Sequence, residues 1–161
     1  MEEALHEAPT SHSHDVRGIH HVGITVRDLD RSLVFYRDLL GMRVLDRSKD
    51  EDVAAVVGIP GARVQAADLD AGQGQVLELL EYGAPKAPAT LPDPNTIGTC
   101  HVSLQVDNLP EAVARLETAG IGTLGEIVAL TEGGVWTGCT VVYVRDPDGM
   151  IIELLEHRAD V

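Results

Sequence analysis

The hexapeptides VLELLE, residues 76–81, and IIELLE, residues 151–156, each set a glutamate inside an apolar run that otherwise reads as a buried β-strand. Side chains alternate across a strand, so Glu78 shares a face with Val76 and Leu80, and Glu153 with Ile151 and Leu155. A carboxylate buried without a partner costs several kcal/mol, so something positive has to meet each one. Two histidines stand at matching places upstream: His21 opens HVGITV and His101 opens HVSLQV. Two neutral imidazoles and two carboxylates offset the charge of a divalent ion, and mixed nitrogen and oxygen ligation suits Ni, Zn, Co, Mn or Fe(II) better than Ca or Mg. The competing account pairs each glutamate with a buried arginine, Arg63 or Arg145, or turns it to solvent on an edge strand. Recurrence of both residue types at matched places favours one divalent metal ion held by His21, Glu78, His101 and Glu153.

The elements that position these residues come from an internal repeat. HVGITVRDLDRSLVFYRDLLGMRVL, from His21, aligns with HVSLQVDNLPEAVARLETAGIGTL, from His101, placing Val22 on Val102, Val26 on Val106 and Leu29 on Leu109. Each copy reads as strand, Asp/Asn turn, amphipathic helix and a glycine stop. In the first, the pattern predicts Asp30 as N-cap, Leu33, Tyr36 and Leu40 facing inward, and Gly41 in the left-handed stop. In the second, Asn108 or a neighbour caps, Pro110 sits in the first turn, Val113 and Leu116 face inward, and Gly120 closes. The strand-like segments MRVLD, ARVQAADL and QVLELLEY follow in the first half, with a short helix expected at DVAAVV. GEIVAL, CTVVYVRD and MIIELLE follow in the second, where DPDG at 146–149 is a hairpin turn. The fold class is therefore α+β, with two tandem βαβββ modules at 18–84 and 99–161, joined by a proline-rich linker at 85–98. Neither half is large enough to bury its sheet comfortably alone, whereas two packed together share a core and can enclose a cavity.

Within the first strand, Val22, Ile24 and Val26 make an apolar face and His21, Gly23 and Thr25 a polar one. In the repeat, Val102, Leu104 and Val106 oppose His101, Ser103 and Gln105. The apolar faces suit packing under a helix, and the others suit the lining of a cavity. His20 falls on the side of Val22 and Ile24 and has no histidine counterpart before His101, where Thr99 and Cys100 stand, so it is left out of the ligand set.

The 161 residues carry 26 acidic against 12 basic side chains, a formal charge of -14, which repels phosphate backbones and anionic lipid. Nucleic acid and membrane surfaces are thus excluded as partners. No apolar run approaches the roughly 20 residues of a membrane helix, and the N-terminus lacks the basic-then-apolar layout of a signal peptide, so a soluble, cytoplasmic protein is expected. Residues 1–17 read as a disordered acidic tail whose HSHD is expected to bind nothing. Cys100 and Cys139 are too few for a disulfide framework and read as small hydrophobes. Trp136 and Tyr143 could line a groove, but ordinary packing is the expectation in a chain that is only 3% aromatic.

The stretches GIHHVGITVRDLDRSLVFYRDLLGM, VLELLEYGAP, GTCHVSLQVDNL and YVRDPDGMIIELLE resemble the vicinal oxygen chelate superfamily, which includes glyoxalase I, methylmalonyl-CoA epimerase, extradiol dioxygenases, and the fosfomycin and bleomycin resistance proteins. The resemblance spans residues 18–157. It implies paired βαβββ modules that form a cupped mixed sheet around one metal, with ligands from the first and last strand of each module. Carried over by position these are again His21, Glu78, His101 and Glu153. It also implies a homodimer, in which the metal is held within one chain or shared between two.

Four protein ligands on an octahedral ion leave two positions, enough for a small substrate that chelates through two adjacent oxygens. Ring-cleaving dioxygenases need three open positions and normally use two His and one carboxylate, so Glu78 argues against that reaction. Proton movement next to a carbonyl fits better, with Glu153 as ligand and base and Glu78 as the second carboxylate at the reacting centre. The reading is a glyoxalase-type lyase or isomerase. Glutathione-using glyoxalases carry an Arg four residues after the first ligand and an Asn four after the second, where this chain has Thr25 and Tyr82. Methylmalonyl-CoA epimerases resemble it less, because they usually have Gln at the second ligand and a Glu on the preceding strand, whose nearest match here is Gln65. A non-catalytic antibiotic-sequestering protein of the bleomycin resistance kind would lack the four ligands.

Overall fold

A computed structural model describes residues 16, 18–83, 92–132 and 134–157. The acidic tail with its HSHD lies outside the described residues, as do residues 84–91 of the linker. The chain folds as two βαβββ modules, each with its own four-stranded mixed sheet. In the first, β1 (His21–Val26), β2 (Arg43–Asp52), β3 (Arg63–Asp70) and β4 (Val76–Tyr82) are ordered β1-β4-β3-β2. In the second, β5 (His101–Gln105), β6 (Val128–Ala129), β7 (Cys139–Arg145) and β8 (Ile151–His157) are ordered β5-β8-β7-β6. The first and last strands of each module pair in parallel, and the others are antiparallel.

The helix after β1 starts at Asp28, whose extended backbone lets its side chain accept a 2.9 Å hydrogen bond from the Arg31 N–H. Asp30, expected to cap, is the second residue of the helix, within its first turn, and pairs with Arg47 at 2.7 Å instead. The aspartate two residues earlier is the one whose backbone is still extended, which is what a cap needs. Helix α1 (Leu29–Leu33) then widens into a π-helical segment, Val34–Leu39, closed by the Leu40 N–H on the Phe35 carbonyl. The wider turn brings two adjacent aromatic side chains, Phe35 and Tyr36, into the core together. Gly41, at φ 79, ends it in the left-handed region. Helix α2 (Ala54–Val57) is the short turn expected at DVAAVV, and α3 (Leu109–Thr118) is capped by Asn108, whose side chain accepts from the Glu111 N–H at 3.0 Å. GEIVAL forms only the two-residue β6, because that stretch pairs with β7 at just Val128 and Ala129, and MRVLD extends into the ten-residue β2.

Both apolar faces and both helices meet in one core. Ile24, Val26, Leu77 and Leu79 of the first module and Val142, Val144, Ile152 and Leu154 of the second belong to it, with Tyr36, Leu109, Val113 and Leu116 from the helical segments. Across the seam the Tyr36 hydroxyl donates to Asp146 Oδ2 at 2.9 Å, and Asp146 Oδ1 accepts from the N–H groups of Asp148 and Met150. Burial raises the Asp146 carboxyl above its ordinary value even against these hydrogen bonds, and burial followed by the neighbouring Asp146 charge pushes the Tyr36 phenol well above 10.0. Asp148 draws in the Arg27 N–H and the Arg31 guanidinium, each at 2.7 Å. The DPDG turn, read as a hairpin, thus also clamps the second module to the first.

Candidate metal centre

The register sets the site. On β1 and β4, Gly23 lies opposite Glu78, and on β5 and β8, Ser103 lies opposite Glu153, so each histidine stands two residues before the partner of its glutamate. The faces divide as the alternation requires. Leu77, Leu79, Ile152 and Leu154 are buried on the helix side, while His21, Glu78, His101 and Glu153 lie on the opposite faces. His21 Nε2 is 3.6 Å from Glu78 Oε2, and His101 Nε2 is 3.8 Å from Glu153 Oε2. The two halves match to 0.2 Å, the difference of those distances. Neighbouring donors on one transition-metal ion stand roughly 3 Å apart, so each pair needs only a small side-chain rotation to bind the same ion.

The arginine alternative fails on the observed partners. Arg63 gives its guanidinium to the side chain and carbonyl of Asp50, and Arg145 gives its own to the carbonyls of Gly149 and Pro92. Gly23 lies beside the first pair: a methyl added there would lie 3.3 Å from Leu80 Cδ1 and 3.5 Å from Glu78 Oε2. The tight contact would be with the end of the Leu80 side chain, while the Glu78 carboxylate would stand at ordinary van der Waals distance.

The second glutamate of each hexapeptide falls on the other face and does a different job. Glu81 Oε2 accepts from the Leu29 N–H and from Gln65 Nε2, both at 2.8 Å, and Glu156 Oε2 accepts from the Leu109 N–H at 2.6 Å. Each carboxylate satisfies an open N–H in the first turn of its module's helix. Gln65 therefore faces the helices, not the open face. On the open face Asp68 of β3 stands directly opposite Glu78, and its counterpart on β7 is Tyr143, opposite Glu153. Neither role was evident from the sequence, since both depend on strand register. Tyr143, expected to pack, lies with its ring 5.0 Å from that of His101, and burial and the Glu153 charge raise its phenol above 10.0. Trp136 is largely exposed, in the one-turn helix between β6 and β7. Cys100 and Cys139 are both free, Cys100 exposed and Cys139 buried.

Within one chain the two half-sites stay apart. Among the described residues no three His, Cys, Asp or Glu side chains converge on a point that could hold a metal. The shared core lies behind both sheets, and each His/Glu pair is on the face turned away from it.

Residues 18–154 match the family model of the Glyoxalase/Bleomycin resistance protein/Dioxygenase superfamily. The chain belongs to that superfamily. Among its relatives, the lactoylglutathione lyase of Salmonella typhimurium is 32% identical over 142 residues, 86% of this chain and 91% of the relative. A 2-epi-5-epi-valiolone epimerase from an Actinomyces species is 30% identical over 154 residues, 88% of this chain and 80% of that protein. A glyoxalase family protein from Bacillus cereus superposes with a TM-score of 0.79 at 22% identity, covering 93% of this chain and all of its own, which shows the superfamily fold. The trypanothione-dependent glyoxalase I of Leishmania major superposes with a TM-score of 0.61 at 28% identity, over 88% of this chain and 87% of its own.

Proposed function

We propose that this member of the glyoxalase superfamily is a divalent-metal-dependent lyase or isomerase that moves a proton next to a carbonyl in a small substrate bound through two adjacent oxygens. The observation that carries the reading is the duplicated pair, His21 with Glu78 and His101 with Glu153, each on an open sheet face with Nε2 turned to the carboxylate. The donor set fits Ni, Zn, Co, Mn or Fe(II) in type and charge. Such an ion supplies positive charge that stabilises a developing oxyanion. Glu153 holds or moves the proton, and Glu78 is the second carboxylate within reach of the reacting carbon. Glu78 facing His21 also favours a four-ligand site over the three open positions of a ring-cleaving dioxygenase.

Because the two pairs sit on faces turned away from the common core, the complete site in this reading takes one pair from each of two chains, as a homodimer. Lactoylglutathione and 2-epi-5-epi-valiolone, named in the relatives' activities, are the first compounds to try. Thr25 and Tyr82 stand where glutathione-using enzymes carry Arg and Asn, which favours a substrate without the glutathione moiety.

Elemental analysis of the purified protein beside His101→Ala tests the metal. Near-stoichiometric Ni, Zn, Co, Mn or Fe that disappears in the variant supports the reading, and wild-type protein that cannot be loaded with any of them sinks it. Glu153→Gln is expected to keep the fold and lose turnover; full activity in that variant removes Glu153 from the chemistry.

A further inference from the structure

His20, which the face alternation put on the apolar side, is exposed and precedes the first ladder residue of β1. Freed from the pleat, its ring turns back onto His21: the two Nδ1 atoms are 2.9 Å apart, and the rings meet edge to face with centroids 5.2 Å apart. The other nitrogen of His21, Nε2, is the one facing Glu78. A 2.9 Å contact between two imidazole nitrogens is a hydrogen bond only if one carries the proton and the other a lone pair. With the proton on His21 Nδ1, the lone pair of Nε2 lies on the Glu78 side, where a ligand lone pair is needed. With the proton on His20 Nδ1, His21 turns an N–H toward Glu78 and cannot ligate.

We infer that His20 is a positioning residue, which accepts the Nδ1–H of His21 and thereby fixes both the tautomer and the ring orientation in which Nε2 binds the metal. This rests on the ligand assignment proposed above. A free imidazole prefers the opposite tautomer, with the proton on Nε2, so an acceptor at Nδ1 has a definite effect. The second half-site is built differently. There Cys100 stands in the place of His20, and the Tyr143 ring lies against His101. The two histidines are therefore supported unequally, and only the first depends on a neighbouring hydrogen-bond acceptor in the same segment.

The test measures zinc affinity of the full-length protein by competition with a chromophoric chelator, together with the Nδ1–H resonance of His21 in the zinc-loaded protein. His20→Ala is expected to weaken zinc binding about 10- to 100-fold, the usual effect of losing a partner that orients a metal-bound histidine, and to bring the His21 Nδ1–H into fast exchange with water. His20→Asn, whose side-chain oxygen stands close to where Nδ1 was, is expected to restore most of the affinity and the slowly exchanging proton. Equal affinity and an unchanged Nδ1–H in wild type and His20→Ala overturn the inference alone. Failure of the Asn variant to rescue an Ala variant that binds weakly reduces His20 to a structural role and also overturns it. If the wild type takes up no zinc, the same comparison is made with Ni, Co, Mn or Fe(II), and wild-type protein that takes up none of the five overturns the ligand assignment, and this inference with it.

Discussion

Breaking one histidine in each of two chains asks directly where the complete site lies. His21→Ala removes a donor from the first half-site and His101→Ala one from the second, and each side chain lies on an open face, so neither change disturbs the core. In a two-fold dimer with one site made from the first module of one chain and the second module of the other, a mixed dimer collects both lesions in one site and leaves the other intact. Wild type then holds two ions per dimer, each variant homodimer holds essentially none tightly, and the mixed dimer holds one. Random re-pairing of equal amounts makes about half the dimers mixed, so about a quarter of the wild-type metal, and of its turnover, should return on mixing. Co-expression with two different tags, purification through both, and metal analysis gives the cleaner number of one ion per dimer. Verified mixed dimers that bind no metal refute the shared-site argument, and a His21→Ala homodimer that binds as tightly as wild type refutes the ligand assignment itself.

Tyr36→Phe leaves one buried oxygen of Asp146 without its donor and is expected to cost about 1–3 kcal/mol at pH 7, read by chemical denaturation. The Tyr36 phenol is raised in the folded protein, so its contribution is present below the unfolded value of 10.0 and is lost as pH rises through that value toward the folded one. The stability gap between wild type and Tyr36→Phe should therefore narrow above pH 10, and a gap constant to pH 11 or wider would contradict the assignment. Glu156→Ala removes the carboxylate that meets the Leu109 N–H, and about 1 kcal/mol of stability should go with it, most of it regained in Glu156→Gln. A loss in Glu156→Ala too small to measure by denaturant unfolding would show that water replaces the cap.

Much of this molecule was readable from periodicity. The repeat, the two modules and the four face-matched residues follow from the alternation in HVGITV, HVSLQV, VLELLE and IIELLE, and the open faces are where that alternation put them. What failed depended on register or on local backbone state. Asp28 and Asp30 are equally good capping side chains, and only the extended backbone at Asp28 separates them. Gln65 and Asp68 differ by three residues, an odd step, and therefore look to opposite faces of β3. His20 was assigned by extending the pleat one residue past its end, where no ladder holds it. Whether the half-sites meet within a chain is a question of how two sheets pack, on which no single strand carries information.

The spacing of the two carboxylates in ELLE has a consequence for how far this sequence can drift. Three residues apart, Glu78 and Glu81 must point to opposite sides of one strand, the first to the open face and the second to the helix start, and Glu153 and Glu156 repeat the arrangement. A one-residue slip of β4 or β8 would exchange them, putting the proposed ligand under the helix and the helix anchor out on the open face. A one-residue insertion or deletion between the two glutamates would set both carboxylates on one face, losing either the histidine pairing or the helix contact, whereas a change in the β3–β4 turn would spare both. The tetrapeptide thus ties two placements together: the register that sets one carboxylate against the helix start also sets the other beside its histidine.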